Sequence, residues 1–101
     1  MSTSALPPEV LSLIEARDVT WSIHAGYDSV RLGLEWEDVI QVARTAESWK
    51  RTNDDKQQAV DGYVDAVVGR DRHGRRLYLA GKQVYFDEER CWHVLTFHEA
   101  R

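Results

Sequence analysis

The chain has 101 residues, which is room for one small domain around one core. Apolar residues make up 43% and charged residues 30%, ordinary for a globular domain, and no apolar run approaches the ~18 residues of a membrane span. The net charge of -4 argues against a generic nucleic-acid binder, and the single cysteine, Cys91, excludes an internal disulfide or a thiolate zinc site and suits a reducing cytoplasm.

Residues 1–8 lack a basic start followed by an apolar stretch, so they do not read as a signal peptide. Pro7 and Pro8 open a first helix over 8–17. Pro is tolerated in the first turn, Glu9 suits the positive end of the dipole, and Val10, Leu13 and Ile14 recur at helical spacing. Residues 19–23 are β-prone but short. A second helix spans 24–34, with Gly33 placed to stop it. Trp36, Val39, Ile40 and Ala43 form the clearest helical stripe, predicting a third helix over 36–46.

Residues 47–58 are polar, centred on Thr52-Asn53-Asp54-Asp55, and read as a long, functional loop. The period then changes to two. Strands are expected over 63–68, 76–80 and 91–98, and 83–86 is a further strand or a continuation. The turns fall at Arg72-His73-Gly74 and Asp87-Glu88-Glu89. Helices followed by strands predict an α+β fold: N-terminal helices on one face of a meandering antiparallel sheet.

The last strand carries two histidines five residues apart. Strict alternation puts Cys91, His93, Leu95 and Phe97 on one face and Trp92, Val94, Thr96 and His98 on the other. That separation argues against a metal chelate, and neither His24 nor His73 has a spacing that completes one. With Leu95 and Phe97 taken as core, His93 reads as a hydrogen-bonded core-edge residue and Cys91 as structural. His98 falls on the open face, where a histidine can act as acid or base near neutrality. Tyr78, between Leu77 and Leu79, is expected on that same face. Arg70, Arg72, Arg75 and Arg76 read most simply as a solvated hairpin tip, though Arg forks also suit phosphate.

Several short motifs taken together resemble a known family. "GLEWEDVIQV" is similar to a segment at the head of the second major helix of the MqsR-type messenger-RNA interferases, which are RelE-like toxins of bacterial type II toxin–antitoxin pairs. "SWK" resembles an aromatic-Lys step after that helix. "RLYLAG" resembles a strand centred on a tyrosine, and "VLTFHEAR" a final strand with a basic residue after a Phe. The resemblance covers about residues 10–101 and implies one RelE-like domain over 1–101.

The resemblance also implies a function: metal-independent, cofactor-free, cytoplasmic endoribonuclease activity through 2′-OH attack, with RNA as substrate and a cognate antitoxin as partner. Among the catalytic roles, the loop lysine falls on Lys50, the tyrosine on Tyr78 and the C-terminal basic residue on His98. His24 fills the place of a histidine that related toxin-like domains carry before the second helix. Arg75, Arg76 and Arg51 are the implied RNA contacts. Tyr85 stands both as an RNA contact and as a rival to Tyr78, because the stretch from Tyr78 to His98 is longer than the family pattern. The family's glutamine falls near Asp65, and the acidic net charge is a second departure. The alternative is a non-catalytic protein-binding module on the same fold.

Overall fold

Caps and turns set the element boundaries. In a computed structural model describing residues 4–100, helix α1 spans Pro8–Glu15, with Pro in its first turn and Val10 and Ile14 buried. Residues 1–3 of the opening segment, and Arg101, lie outside the described residues. Strand β1 is Val19–Trp21. Helix α2, Ile23–Leu32, starts where the Ser22 hydroxyl accepts the Ala25 N–H, and it stops at Gly33, whose φ of 66° is the left-handed cap that glycine supplies without strain. Helix α3, Trp36–Arg44, opens on Glu35, whose own N–H donates to the Asp38 carboxylate at 3.0 Å.

The strands that follow are β2 (Ser48–Asn53), β3 (Tyr63–Arg70), β4 (Arg76–Phe86) and β5 (Glu89–Glu99). Two expectations change here. The polar segment 47–58 is not wholly loop, because its first part forms β2. That strand lies at the sheet edge with mostly exposed side chains, so it lacks the apolar alternation that marks a half-buried strand. Residues 83–86 continue β4 rather than forming a separate strand.

The five strands form one sheet in the order β1-β5-β4-β3-β2. Pairing is antiparallel except between β1 and β5, which run parallel. The sheet is therefore mixed, not a pure meander. The fold is α+β, with three helices packed on this sheet. Helices α1 and α3 cover one face, where Val10, Ile14, Val39 and Val42 meet Val67, Leu77, Leu79, Trp92, Val94 and Phe97. Helix α2 instead follows the outer edge of β5 beyond β1, where the Ser22 hydroxyl donates to the Leu95 carbonyl. Among the described residues no helix is long and apolar enough to cross a membrane.

Two glycines permit close approach. A Cβ on Gly69 would land on the Val42 carbonyl of α3, and one on Gly81 would enter the Trp92 ring at 2.6 Å. The register of β5 shifts at this second contact: Ala80 faces Thr96, but Gly81 faces Val94, so Leu95 is an extra residue. This bulge overturns the strict alternation expected for the strand. Trp92, Val94 and Phe97 share the core face, each fully buried. Cys91, His93, Thr96 and His98 share the opposite, open face, since their partners Val84, Lys82, Ala80 and Tyr78 alternate with core-facing Leu77 and Leu79. His93 is therefore not on the core face, and Cys91, though buried, packs on the open side. The two histidines share a face, but about 15 Å of strand separates them, too far for one chelate.

Candidate active site

Across the sheet, the open face carries side chains in rows. One row runs Ser48, Val68, Tyr78, His98; the next runs Lys50, Ala66, Ala80, Thr96. In the first row the Tyr78 and His98 rings stack, with centroids 4.4 Å apart and planes 15° apart. His98 Nδ1 lies 3.1 Å from the Glu99 carbonyl oxygen. A carbonyl only accepts, so Nδ1 is the donor there, leaving Nε2 as the second nitrogen for chemistry.

Helix α2 adds a second group of residues to this end of β5. His24, Asp28 and Arg31 fall on one helix face by their i, i+4 and i+3 spacings. Asp28 is buried against β5, where its Oδ2 accepts from the Thr96 hydroxyl at 3.1 Å and the Phe97 N–H at 3.2 Å. The same oxygen lies 3.2 Å from His24 Nε2, and Oδ1 accepts from Arg31 Nη2 at 3.1 Å. Burial works to raise the Asp28 pKa. Arg31, the two β5 donors and His24 outweigh it and hold the carboxyl below its ordinary 3.8. Arg31 and His98 also line one surface hollow of about 490 Å³ with Leu32 and Glu99. The corner at this end of β5 thus carries His98 stacked on Tyr78, and Arg31 of α2 shares a hollow with His98. Buried Asp28 holds His24, Arg31 and Thr96 together beside it. Its local sequence signal was the His24–Asp28 helical spacing, which the reading of His24 alone missed.

Other predicted residues fall elsewhere. Lys50 is exposed on the open face of β2, opposite Ala66. Its backbone is two strands from Tyr78, and the small Ala66 and Ala80 leave the intervening sheet surface low. Arg76 donates to Glu47 at 3.2 Å, and Arg70 reaches the same carboxylate at 2.9 Å. Arg75 holds Asp71 at 3.0 Å and the Leu32 carbonyl at 2.8 Å, tying the β3–β4 turn to the end of α2. Arg72 donates to Asp38 at 2.9 Å. The arginine cluster is therefore a set of ion pairs rather than a solvated tip.

Arg51 lies on the helix-covered face, not the open one. It donates to buried Asp65 at 2.8 Å, flanked by the Trp49 and Tyr63 rings. Asp65 also accepts from Trp49 Nε1, so both residues serve packing on the side away from His98. Tyr85, opposite Arg90, lies seven residues along β4 from Tyr78, roughly 23 Å at strand rise, which leaves Tyr78 as the tyrosine beside His98. Among the described residues no three His, Cys, Asp or Glu side chains converge as a metal ligand set. Comparison with protein-family models, with curated proteins and with solved structures finds no match to this chain.

Proposed function

We propose that the protein is a metal-independent endoribonuclease, an mRNA interferase toxin of a bacterial toxin–antitoxin pair built on a RelE-like fold. The observation that carries the reading is the corner itself: His98 stacked on Tyr78, with His24 and Arg31 held beside the same strand by buried Asp28. The motif resemblance of Tyr78, His98, Lys50 and His24 supports it independently of that geometry.

The chemistry needs a base, an acid and a cation around one phosphodiester. One histidine removes the 2′-OH proton, the 2′-oxygen attacks phosphorus, and the P–O5′ bond breaks. The second histidine gives its proton to the departing 5′-oxygen, leaving a 2′,3′-cyclic phosphate and a 5′-hydroxyl. Arg31, with Lys50 reaching over the low Ala66–Ala80 surface, offsets the charge growing on the phosphoryl oxygens. Tyr78 holds the His98 ring in plane. Arg76 and Arg75, where they exchange carboxylate for phosphate, extend the track for the strand. A cytoplasmic setting and neutralisation by a cognate antitoxin complete the reading.

Purified protein is expected to cleave single-stranded RNA in the presence of EDTA, leaving cyclic phosphate ends. His98→Ala lowers the rate about 10²–10⁴-fold. Undiminished cleavage by His98→Ala sinks the assignment.

One observation favours a second reading, a non-catalytic protein-binding module on the same fold. Ile23, Tyr27 and Val30 stand 82%, 74% and 81% exposed on the outer side of α2, an apolar stripe with the look of a protein contact. A folded, harmless protein that leaves RNA intact would favour that reading.

A further inference from the structure

The other end of the open face holds a cleft that none of the chemistry above uses. Two hollows of about 550 and 460 Å³ share Gln58, Lys82 and His93 as lining. Lys82 and His93 face each other across β4 and β5. Lys82 is only 2% exposed; its Nζ donates to Gln58 Oε1 at 2.6 Å and lies 3.4 Å from buried Asp54. Asp54 in turn accepts the backbone N–H groups of Lys56, Gln58 and Ala59. The loop after β2 is thereby pinned over the sheet, the cleft wall is built before any ligand arrives, and the lysine charge is balanced inside that wall.

The polar and apolar parts of the cleft are segregated. His93 Nδ1 lies 2.8 Å from the Thr20 hydroxyl. Burial, and then the nearby Lys82 charge, hold the His93 pKa below its ordinary 6.5, so the ring is neutral at pH 7 and offers hydrogen bonding without charge. Val60, Val84 and Phe86 line the larger hollow, and Phe86 is 61% exposed with Val60 38% exposed. Asp55 lines the smaller hollow, and Asp87, Glu88 and Glu89 follow Phe86 in the hairpin. Against them stand Lys56 and Arg90, so the rim repels anions more than it attracts them. A hollow of this size, mostly apolar with a few convergent polar groups, suits a small ligand.

The geometry points to a binding site for an uncharged planar heteroaromatic molecule of one or two rings. Its ring lies against Val84 and Phe86, and its polar edge meets His93, Thr20 and Gln58. A free nucleobase or nucleoside has this chemistry, as does an unpaired base of a strand; the acidic rim favours the free molecule. The site is separate from the His98 corner and does not rest on the RNA reading.

Isothermal titration of the full chain with adenosine, cytidine, uridine and indole tests it, with AMP and a short oligoadenylate as charged counterparts. At least one neutral probe is expected to saturate at millimolar concentration or below. AMP and the oligonucleotide should bind more weakly than adenosine. Phe86→Ala, at an exposed position, and His93→Leu should each weaken binding by about tenfold, whereas His98→Ala should leave it unchanged. No saturable binding of any neutral probe overturns the proposal. So do tighter binding of AMP than of adenosine, and affinity unaffected by both Phe86→Ala and His93→Leu. RNA cleavage, measured in parallel, stands or falls on His98 without regard to these outcomes.

Discussion

Asp28 bonds to more of the corner than any other side chain there. It accepts from a helix residue, a strand hydroxyl and a strand backbone N–H, and its partners Arg31 and His24 are largely exposed, with side chains 63% and 71% accessible. Their ion pairs are weakened by solvent, so the buried β5 donors carry most of its structural value. Asp28→Asn keeps the shape but removes the charge that those donors share. It is expected to lower stability by about 2 kcal/mol, read as a lower urea midpoint with unchanged slope. If the protein cleaves RNA as proposed, Asp28→Asn should also reduce that cleavage at pH 7, because His24 and Arg31 lose the carboxylate that orients them. His98 and Tyr78 were legible as residues of one face because both alternate with a core leucine or phenylalanine; that they stack came only from the β4–β5 register. Asp28 was not, because nothing in a helical i, i+4 pair says which strand the helix will lie along.

Elements pack as closely as their smallest residues allow. Gly69 lets β3 approach α3 until the space for a side chain is filled by the Val42 carbonyl. Backbone cannot move aside as a flexible side chain can, so Gly69→Ala should cost about 2 kcal/mol or more, measured by urea unfolding. The β4–β5 hairpin shows the converse. Asp87 and Glu88 form its two-residue turn, with φ of 49° and 66°, the left-handed values that a primed turn needs and that side-chain-bearing residues resist. Glu88→Gly is therefore expected to stabilise by about 1 kcal/mol, seen as a rise in Tm. Edge strand β2 and the bulge at Leu95 belong to this scale too. An edge strand with polar side chains on both faces has no period to read, and one inserted residue inverts every assignment before it while leaving those after it intact. That is why His98 was placed on the open face and His93 was not.

The whole molecule buries carboxylates and leaves most of their cationic partners part-exposed; among the described residues only Lys82 and Asp54 are buried on both sides of the pair. Asp28, Asp38, Asp54 and Asp71 are all buried, and each is held below its ordinary pKa; burial opposes this, but hydrogen bonds and cations outweigh it. For Asp38 the Arg72 guanidinium and two backbone N–H groups bring the value to about 2 from 3.8. A carboxyl with a depressed folded pKa contributes stability that is fully present above its unfolded value and lost as pH falls through the folded one. The protein is thus expected to lose stability steeply between about pH 4 and pH 2, followed by thermal melts across that range, with Asp38 alone supplying on the order of 2 kcal/mol. Asp38→Asn should flatten part of that loss. The formal charge of -4 counts these carboxylates, so it says little about the surface a ligand meets.

By itself the amino-acid sequence determined most of the local elements: the three helices, the strands after residue 62, the turns between them, and the placing of Tyr78 and His98 on the open face. These depend on neighbours a few residues apart, where periodicity and capping chemistry act. Only the tertiary structure decided that β1 joins β5 in parallel and that α2 lies along the edge of β5 with Asp28 buried in between. It also decided that the arginines are spent on carboxylates and that Lys82 is enclosed beside His93. Each of these follows from contacts between residues far apart in the chain, whose energies depend on which surfaces meet, and no local pattern encodes that.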